Sequence, residues 1–188
     1  LREAMQRHSQ MRVIEEKPGA RTRIITSDPN KWDTMLEAPF LSDSQATLEL
    51  LEARRFLETN IIQACVQRYD DRDIAALEED IRLMEKALKK RDSKDYLKYD
   101  MSFHFHMAGA THNRYLLHML QTIQNLLEQF MMEVFSEIPN LLPDSLNHHQ
   151  RIFTCVKNHD MQAAAMSMNN HLTSIVTLLT AYYEEKGI

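Results

Sequence analysis

The sequence predicts an all-α fold, an antiparallel bundle of six or seven helices preceded by a short helix end and a β-hairpin. Three observations support this prediction. No proline occurs between Pro39 and Pro139, only 3 of the 188 residues are glycine, and apolar residues recur at a period of about 3.6 after residue 43. With 44% hydrophobic and 26% charged residues, the chain can bury a core of ordinary size.

The helical part divides at capping residues and short connections. Side-chain oxygens can accept from the free backbone N–H groups of a first helical turn, and such residues stand at four expected helix starts: Asp70 or Asp71, Ser93, Thr111 and Asp144. Because most connections are short, neighbouring helices should pack antiparallel. The six expected helices are Asp43–Arg68, Asp71–Arg91, Ser93–Ala110, Asn113–Glu137, Asp144–Asn158 and Asp160–Lys186.

The first 27 residues predict the end of a different domain. Leu1–Ser9 has a helical pattern, and the alternating stretches Met11–Glu16 and Arg21–Thr26 flank a Pro-Gly turn, which is typical of a β-hairpin. We expect residues 28–43 to be a linker and residues 44–188 to form the helical domain. Since the pattern at Leu1 is already helical, we expect the chain to be a fragment of a longer protein.

Charge separates the two parts. Residues 1–31 hold seven Lys and Arg against four acidic residues, a net +3, and the remainder carries −8 to give the chain its net −5. A basic N-terminal segment followed by an acidic domain predicts that only the N-terminal segment binds a polyanion such as DNA.

Several classes of protein are excluded by what the sequence lacks. It contains no GxGxxG, no glycine-rich phosphate loop and no G-x-S-x-G, which argues against nucleotide-dependent and serine hydrolase chemistry. Cys65 and Cys155 lie in apolar helical stretches and predict reduced thiols in a cytoplasmic protein. The charge-free run Met161–Tyr183 is long enough to span a bilayer, but its Asn, Gln and His content favours a buried helix, so no membrane partner is expected.

A metal site is predicted from acidic and imidazole groups on inward faces. Asp100 and His104 are four residues apart on the stripe of Leu97 and Met107. His149 shares a face with Leu146, Phe153 and Val156, and His171 lies on a stripe of Ala164, Met168, Ile175, Leu178 and Tyr182. An internal Asp–His hydrogen bond would explain one pair, but three inward histidines with an aspartate favour a divalent metal. Zinc is the first expectation, and nickel and manganese also suit this donor set.

An effector site is predicted beside the metal. Arg54 shares the inward stripe of Leu50, Leu57 and Ile61, with an internal salt bridge to Glu58 as the alternative reading. A divalent cation with one aspartate and three neutral imidazoles keeps a charge of about +1, and a guanidinium beside it favours a small carboxylate. Asn170 is assigned to the same effector site. The remaining histidines are expected to be surface or capping residues, with His106 on another face than His104.

The motifs resemble the FCD ligand-binding domain of the FadR-like GntR transcription regulators. The matching segments are EARRFLE at Glu52–Glu58, DMSFH at Asp100–His104, HQRI at His149–Ile152, and His171–Leu172. The resemblance spans about residues 44–180. It implies that Asp100, His104, His149 and His171 are metal ligands and that Arg54 lies near an effector carboxylate.

The N-terminal segment is similar to the end of a GntR winged helix-turn-helix domain. The resemblance implies DNA contacts from Arg2 in the recognition helix and from Gly19 and Arg21 at the wing tip. The pair Ala20-Arg21 departs from the Arg-Gly of many members.

The sequence therefore predicts a bacterial, homodimeric, metal-dependent transcription regulator that binds operator DNA and a small organic acid. Two-fold symmetry is expected because such regulators read two half-sites. Two alternatives remain open at this point. One is a metalloenzyme using the same residues, against which we note no HExxH and no inward glutamate placed as a general base. The other is a purely structural helical dimerisation module.

Overall fold

The computed structural model describes residues 14–15, 23–24, 44–137 and 141–187. The chain divides into two compact units, Leu1–Phe40 and Leu41–Ile188. In the first unit, β1 (Ile14–Glu15) and β2 (Arg23–Ile24) pair antiparallel, with Ile14 opposite Ile24. The predicted hairpin is thus present as a short ladder. The predicted helix end at Leu1–Ser9 and the DNA-binding residues Arg2, Gly19 and Arg21 lie outside the described residues.

In the described ranges of the second unit all regular secondary structure is helical, which confirms the all-α prediction. Its helices start within three residues, and end within one, of the expected positions. They are α1 (Ser44–Arg68), α2 (Asp71–Lys90), α3 (Ser93–Gly109), α4 (Arg114–Glu137), α5 (Leu141–Lys157) and α6 (Met161–Lys186).

Aspartate side chains cap three of these helices. Asp70 accepts from the backbone N–H of Arg72 and Asp73 at the start of α2, and Asp160 accepts from that of Ala163 at the start of α6. At α3 the cap is Asp92, which accepts from Asp95, and not the predicted Ser93. Each cap satisfies backbone donors that have no partner inside the helix.

The start of α5 differs from the prediction. The helix begins at Leu141 and takes Pro143 into its first turn, so Asp144 is a first-turn residue and not a cap. Proline is tolerated there because the N–H groups of a first turn have no intrahelical acceptor.

The helices pack so that α1, α3, α5 and α6 enclose a common interior. In the described helices, α1 packs most extensively on α6 and α2 on α3, while α3 also contacts α4 and α5 contacts both α2 and α6. The largest core cluster includes Tyr96, Phe103 and Ile152, all fully buried. Cys65 is buried and Cys155 half-buried, and both are free thiols. Among the described helices, none is long and apolar enough to cross a membrane.

Two predicted inward stripes differ from the structure at single positions. On α6 the buried residues after Ile175 are Leu179 and Tyr183, whereas the predicted Leu178 is 37% exposed. A straight helix drifts by about 20° per seven residues, so a strict seven-residue extrapolation leaves the core face of α6 after two repeats. On α5 the buried residue is Ile152, and the predicted Phe153 is half-buried. These two residues follow His149 by three and four positions, so both flank its face.

Candidate metal centre

Four helices bring buried polar groups to one place in the helical unit. These groups are Arg54 and Glu58 on α1, Asp100 and His104 on α3, His149 on α5 and His171 on α6, and each is at most 4% exposed. Because isolated buried charges are costly, such a group of residues needs mutual pairing or a ligand.

The three buried histidines form the centre of this group. His104, His149 and His171 each present a ring nitrogen, and these atoms all lie within 4.8 Å of one another. The ring centroids of His149 and His171 are 4.6 Å apart, and the rings of His104 and His171 stack at 5.5 Å. The structure therefore brings together the three histidines that the sequence predicted as ligands.

The Nδ1 atoms of two of these rings form hydrogen bonds to protein oxygen atoms. His149 Nδ1 lies 2.7 Å from the carbonyl oxygen of Ser145, which can only accept, so Nδ1 carries the proton. His104 Nδ1 donates to Glu58 Oε2 in the same way. Partners of this kind fix the tautomer and ring orientation of metal-binding histidines.

The Nε2 atoms of the same two rings face each other. His104 Nε2 and His149 Nε2 are 3.2 Å apart. When each ring holds its single proton on Nδ1, both Nε2 atoms present lone pairs, and two lone pairs at this distance repel. A cation between the two nitrogens, either a proton or a metal ion, would remove this repulsion.

Two further potential metal ligands, Asp100 and His171, lie close to these two nitrogens. Asp100 Oδ1 lies 3.4 Å from His149 Nε2 and accepts from Ser145 Oγ at 3.2 Å, and Oδ2 lies 4.0 Å from His104 Nε2. His171 Nδ1 is buried without a hydrogen-bond partner. Three imidazoles and one carboxylate around one point are the ligands that divalent transition metals take in proteins, so the residues present fit a metal.

Burial keeps two of these imidazoles in the neutral form that binds metals. It lowers the pKa of His149 to about 4, against an opposing effect of Asp100. Burial, then the neighbouring His149 and His104, lower the pKa of His171 well below its usual value. Both are therefore neutral at pH 7.

Arg54 and Glu58 form a buried ion pair on the α1 side of the centre. Arg54 Nε donates to Glu58 Oε1 at 2.6 Å. Burial raises the pKa of Glu58, but the charges and hydrogen bonds of His104 and Arg54 outweigh burial and lower it to about 2. The salt bridge considered from sequence is therefore present, and Glu58 is ionised at neutral pH.

Glu58 has a larger role in the site than the sequence indicated. The sequence analysis considered it only as a salt-bridge partner of Arg54, whereas Glu58 is fully buried and also contacts His104. A signal was available, because Glu58 lies seven residues after the buried Leu51 and four before the buried Ile62. Its engagement by Arg54 and His104 makes it an orienting group for the site.

Asn170 is not brought into this centre. Its side chain is exposed, because it lies about 100° around α6 from His171. The preceding residue, Asn169, accepts from Arg55 Nη1 at 3.1 Å and links α6 to α1. His148, next to His149 on α5, is half-buried, and its ring centroid lies 5.4 Å from that of His171.

Other histidines have local partners. His106 faces away from the centre, as predicted, and its Nδ1 lies 2.5 Å from Asp80 Oδ2 on α2. His159 stacks on Tyr69. His112 lies 3.5 Å from Asp73, whose side chain also completes the capping box of α2.

Comparisons with known proteins identify the family. Residues 49–174 match the FCD domain. The chain is 26% identical over 190 residues to the HTH-type transcriptional regulator LutR of Bacillus subtilis, covering 98% of this chain and 85% of that protein. It is 25% identical over 169 residues to the Uxu operon transcriptional regulator of Escherichia coli, covering 87% and 65% of the two chains.

Solved structures agree on the fold. Streptococcus agalactiae GntR matches with a TM-score of 0.68 and 24% identity, over 94% of this chain and 79% of that one. Escherichia coli McbR/YncC matches with a TM-score of 0.66 and 15% identity, over 97% and 79%. The named relatives are regulators, which sets aside the metalloenzyme and the purely structural module. The chain belongs to the GntR family of transcription regulators, in the group that carries an FCD domain.

Proposed function

We propose that this regulator binds a divalent metal through Asp100, His104, His149 and His171. The observation that supports it most directly is the 3.2 Å approach of two Nε2 atoms whose rings already use their other nitrogens. A proton would satisfy that pair alone, whereas a metal also gives His171 Nδ1 a partner and balances the charge of Asp100. Zinc is the first candidate, and nickel and manganese fit the same donors.

The metal is proposed to serve as an anchor for a small carboxylate effector. One aspartate and three neutral imidazoles leave a divalent ion with a charge of about +1, and the Arg54–Glu58 pair adds no net charge. The centre as a whole therefore attracts an anion. A carboxylate can bind the metal with one oxygen and the outer nitrogens of Arg54 with the other.

The effector is further proposed to modulate operator binding by a homodimer. Arg54 lies on α1, the first helix after the expected linker at residues 28–43, so a ligand that displaces α1 can act on the preceding DNA-binding unit. A ligand shifts such an equilibrium only by its differential affinity for the two states, which is typically about 1–3 kcal/mol. Operator contacts are proposed for Arg2, Gly19 and Arg21, and the dimer matches two half-sites.

A competition titration with a chromophoric zinc chelator tests the metal proposal. His171→Ala removes one of four ligands and should weaken zinc binding by more than about a hundred-fold. His148→Ala, whose ring lies close to His171 but on another face of α5, should leave zinc affinity unchanged. Equal zinc affinity in wild type and His171→Ala, or loss only in His148→Ala, would contradict the proposed ligand set.

Calorimetry and DNA mobility shifts on the full-length, zinc-loaded regulator test the effector proposal. Arg54→Lys keeps a positive charge beside Glu58 but lacks the planar fork, so acid binding should weaken while zinc content stays near wild type. Operator binding should become insensitive to the acid. Arg55→Ala is the matched control, because Arg55 pairs with Asn169 and not with the centre. Unchanged acid affinity in Arg54→Lys would leave Arg54 as a structural partner of Glu58 only.

A further inference from the structure

Helix α4 contributes a buried polar side chain that no part of the proposed site uses. Gln124 is 3% exposed, and its Nε2 has no hydrogen-bond partner. A buried donor without an acceptor destabilises a fold unless something else supplies the acceptor. Among the described side chains of α4, Gln124 is therefore one for which a ligand has to be considered.

The buried neighbours of Gln124 on α4 give its position along the bundle. Leu120, one turn before it, shares a core cluster with Ile61 of α1 and Ala108 of α3. Leu127, one turn after it, shares a different cluster with Leu51 of α1 and Leu97 of α3. Leu120, Gln124 and Leu127 have the i, i+4, i+7 spacing of one helix face, so Gln124 lies between these two apolar layers.

The residues of α1 and α3 between the same two layers are those of the candidate metal centre. On α1, Arg54 and Glu58 fall between Leu51 and Ile61, and both are buried. On α3, Asp100 and His104 fall between Leu97 and Ala108. Since α4 packs on both α1 and α3, Gln124 lies level with the Arg54 end of the centre.

The polar groups between these two apolar layers determine which ligand can accept a hydrogen bond from the Gln124 amide. The Gln124 Nε2 group and the Arg54 guanidinium are both donors, and Glu58 already accepts from Arg54 and His104. Because these two donors lie at the same level of the bundle, a ligand that pairs with both must be an anion with several oxygens. A carboxylic acid with a further oxygen, such as a hydroxyl, carbonyl or second carboxylate near the first, has that chemistry.

We propose that Gln124 is a further effector-binding residue, which donates from Nε2 to an oxygen of the small acid held by Arg54. This inference rests on the proposed effector function and deepens it. The bound acid then contacts α4 as well as α1, α3, α5 and α6, and Gln124 selects acids that carry the additional oxygen.

Calorimetry on the zinc-loaded chain tests this inference with acetate, malate and citrate as probes. Gln124→Leu replaces the amide by an apolar group of similar size, and Thr59→Val is the matched control because Thr59 Oγ1 is also a buried atom without a partner. Affinity for the tightest-binding acid should fall about ten- to a hundred-fold in Gln124→Leu and stay unchanged in Thr59→Val. The melting temperature of ligand-free Gln124→Leu should equal or exceed that of wild type, because an unpaired donor is removed.

The remaining outcomes distinguish a failure of the Gln124 inference from a failure of the proposed effector function. If wild type and Gln124→Leu bind the acid equally, the Gln124 inference is wrong and the effector function stands. If Gln124→Leu melts lower without losing affinity, the amide has a structural role and the inference fails. If wild type binds none of the acids, the carboxylate proposal itself is overturned, and the role of Gln124 with it.

Discussion

Replacing Glu58 by glutamine tests the buried group that connects Arg54 to His104. In the wild type, Oε1 accepts from Arg54 Nε and Oε2 accepts from His104 Nδ1. A glutamine amide has one oxygen and one NH2 group, so it cannot accept from both donors. Either Arg54 loses its partner, or His104 must move its proton from Nδ1 to Nε2.

The size of the effect follows from the Glu58 pKa. Burial raises it, and the charges and hydrogen bonds of His104 and Arg54 bring it from 4.5 down to about 2. At about 1.36 kcal/mol per pH unit, this depression corresponds to about 3 kcal/mol of folding free energy at pH 7. Breaking a buried ion pair from one side typically costs about 3–5 kcal/mol, which agrees.

The sign of the pH dependence is fixed by the direction of the pKa change. A carboxyl whose pKa is lower in the folded state stabilises the fold above its unfolded value of 4.5, and this stabilisation is lost as the pH falls toward 2. We therefore expect Glu58→Gln to unfold about 3 kcal/mol more easily than wild type in urea at pH 7, in the presence of a metal chelator. The difference should shrink below pH 4.5.

The control for this comparison is Glu79→Gln. Glu79 pairs with Arg82 at 2.5 Å on the surface of α2, where both side chains are at least half exposed, so no measurable change is expected. A loss below about 1 kcal/mol in Glu58→Gln, or a loss that is the same at pH 7 and pH 3, would show that the ionised Glu58 does not stabilise the fold. Zinc affinity should also fall by about 10–100-fold, because the partner that fixes the His104 tautomer is altered.

Three further predictions concern other parts of the chain. The hydrogen bond to Asp80 raises the pKa of His106 above 6.5, so its stabilisation is present below pH 6.5 and is lost as the pH rises through the raised value. Thermal melts of wild type should therefore exceed those of His106→Gln at pH 6 but not at pH 9, and an equal difference at both would contradict this. Asp160→Ala removes the cap of α6 and should cost about 1 kcal/mol in urea unfolding, whereas Gln162→Ala at an exposed position should not. Sedimentation of the full-length regulator at micromolar concentration should give twice the mass of one chain, and a monomer would count against the dimer.

Much of the helical unit was predictable because its signals are local. Aspartates such as Asp70 and Asp160 mark helix starts through hydrogen bonds to residues two or three positions on. The inward placement of Asp100, His104, His149 and His171 follows from apolar residues on the same face of each helix. The periodicity of a single helix was therefore enough to find the predicted ligands.

The parts that were missed depend on partners distant in sequence. Glu58 can be buried only because His104, 46 residues away, and Arg54 engage it, and no local pattern contains the first of these contacts. Gln124 carries no charge and no motif, so its position between two apolar layers emerges only from packing. Asn170, which the sequence analysis assigned to the effector site, is adjacent to His171, but adjacent residues in a helix point in different directions.

Anomalous diffraction from crystals of the chain loaded with one equivalent of zinc tests whether the four buried side chains bind a metal. We expect one strong peak per chain at the zinc edge, about 2.0–2.2 Å from a nitrogen of His104, His149 and His171 and from an oxygen of Asp100. The same crystals contain an exposed competitor, because Asp70, Asp73 and His112 also present ligand atoms within 4.8 Å of one another. A peak at that surface group with none among the buried histidines, or no peak at all, would contradict the proposed metal site.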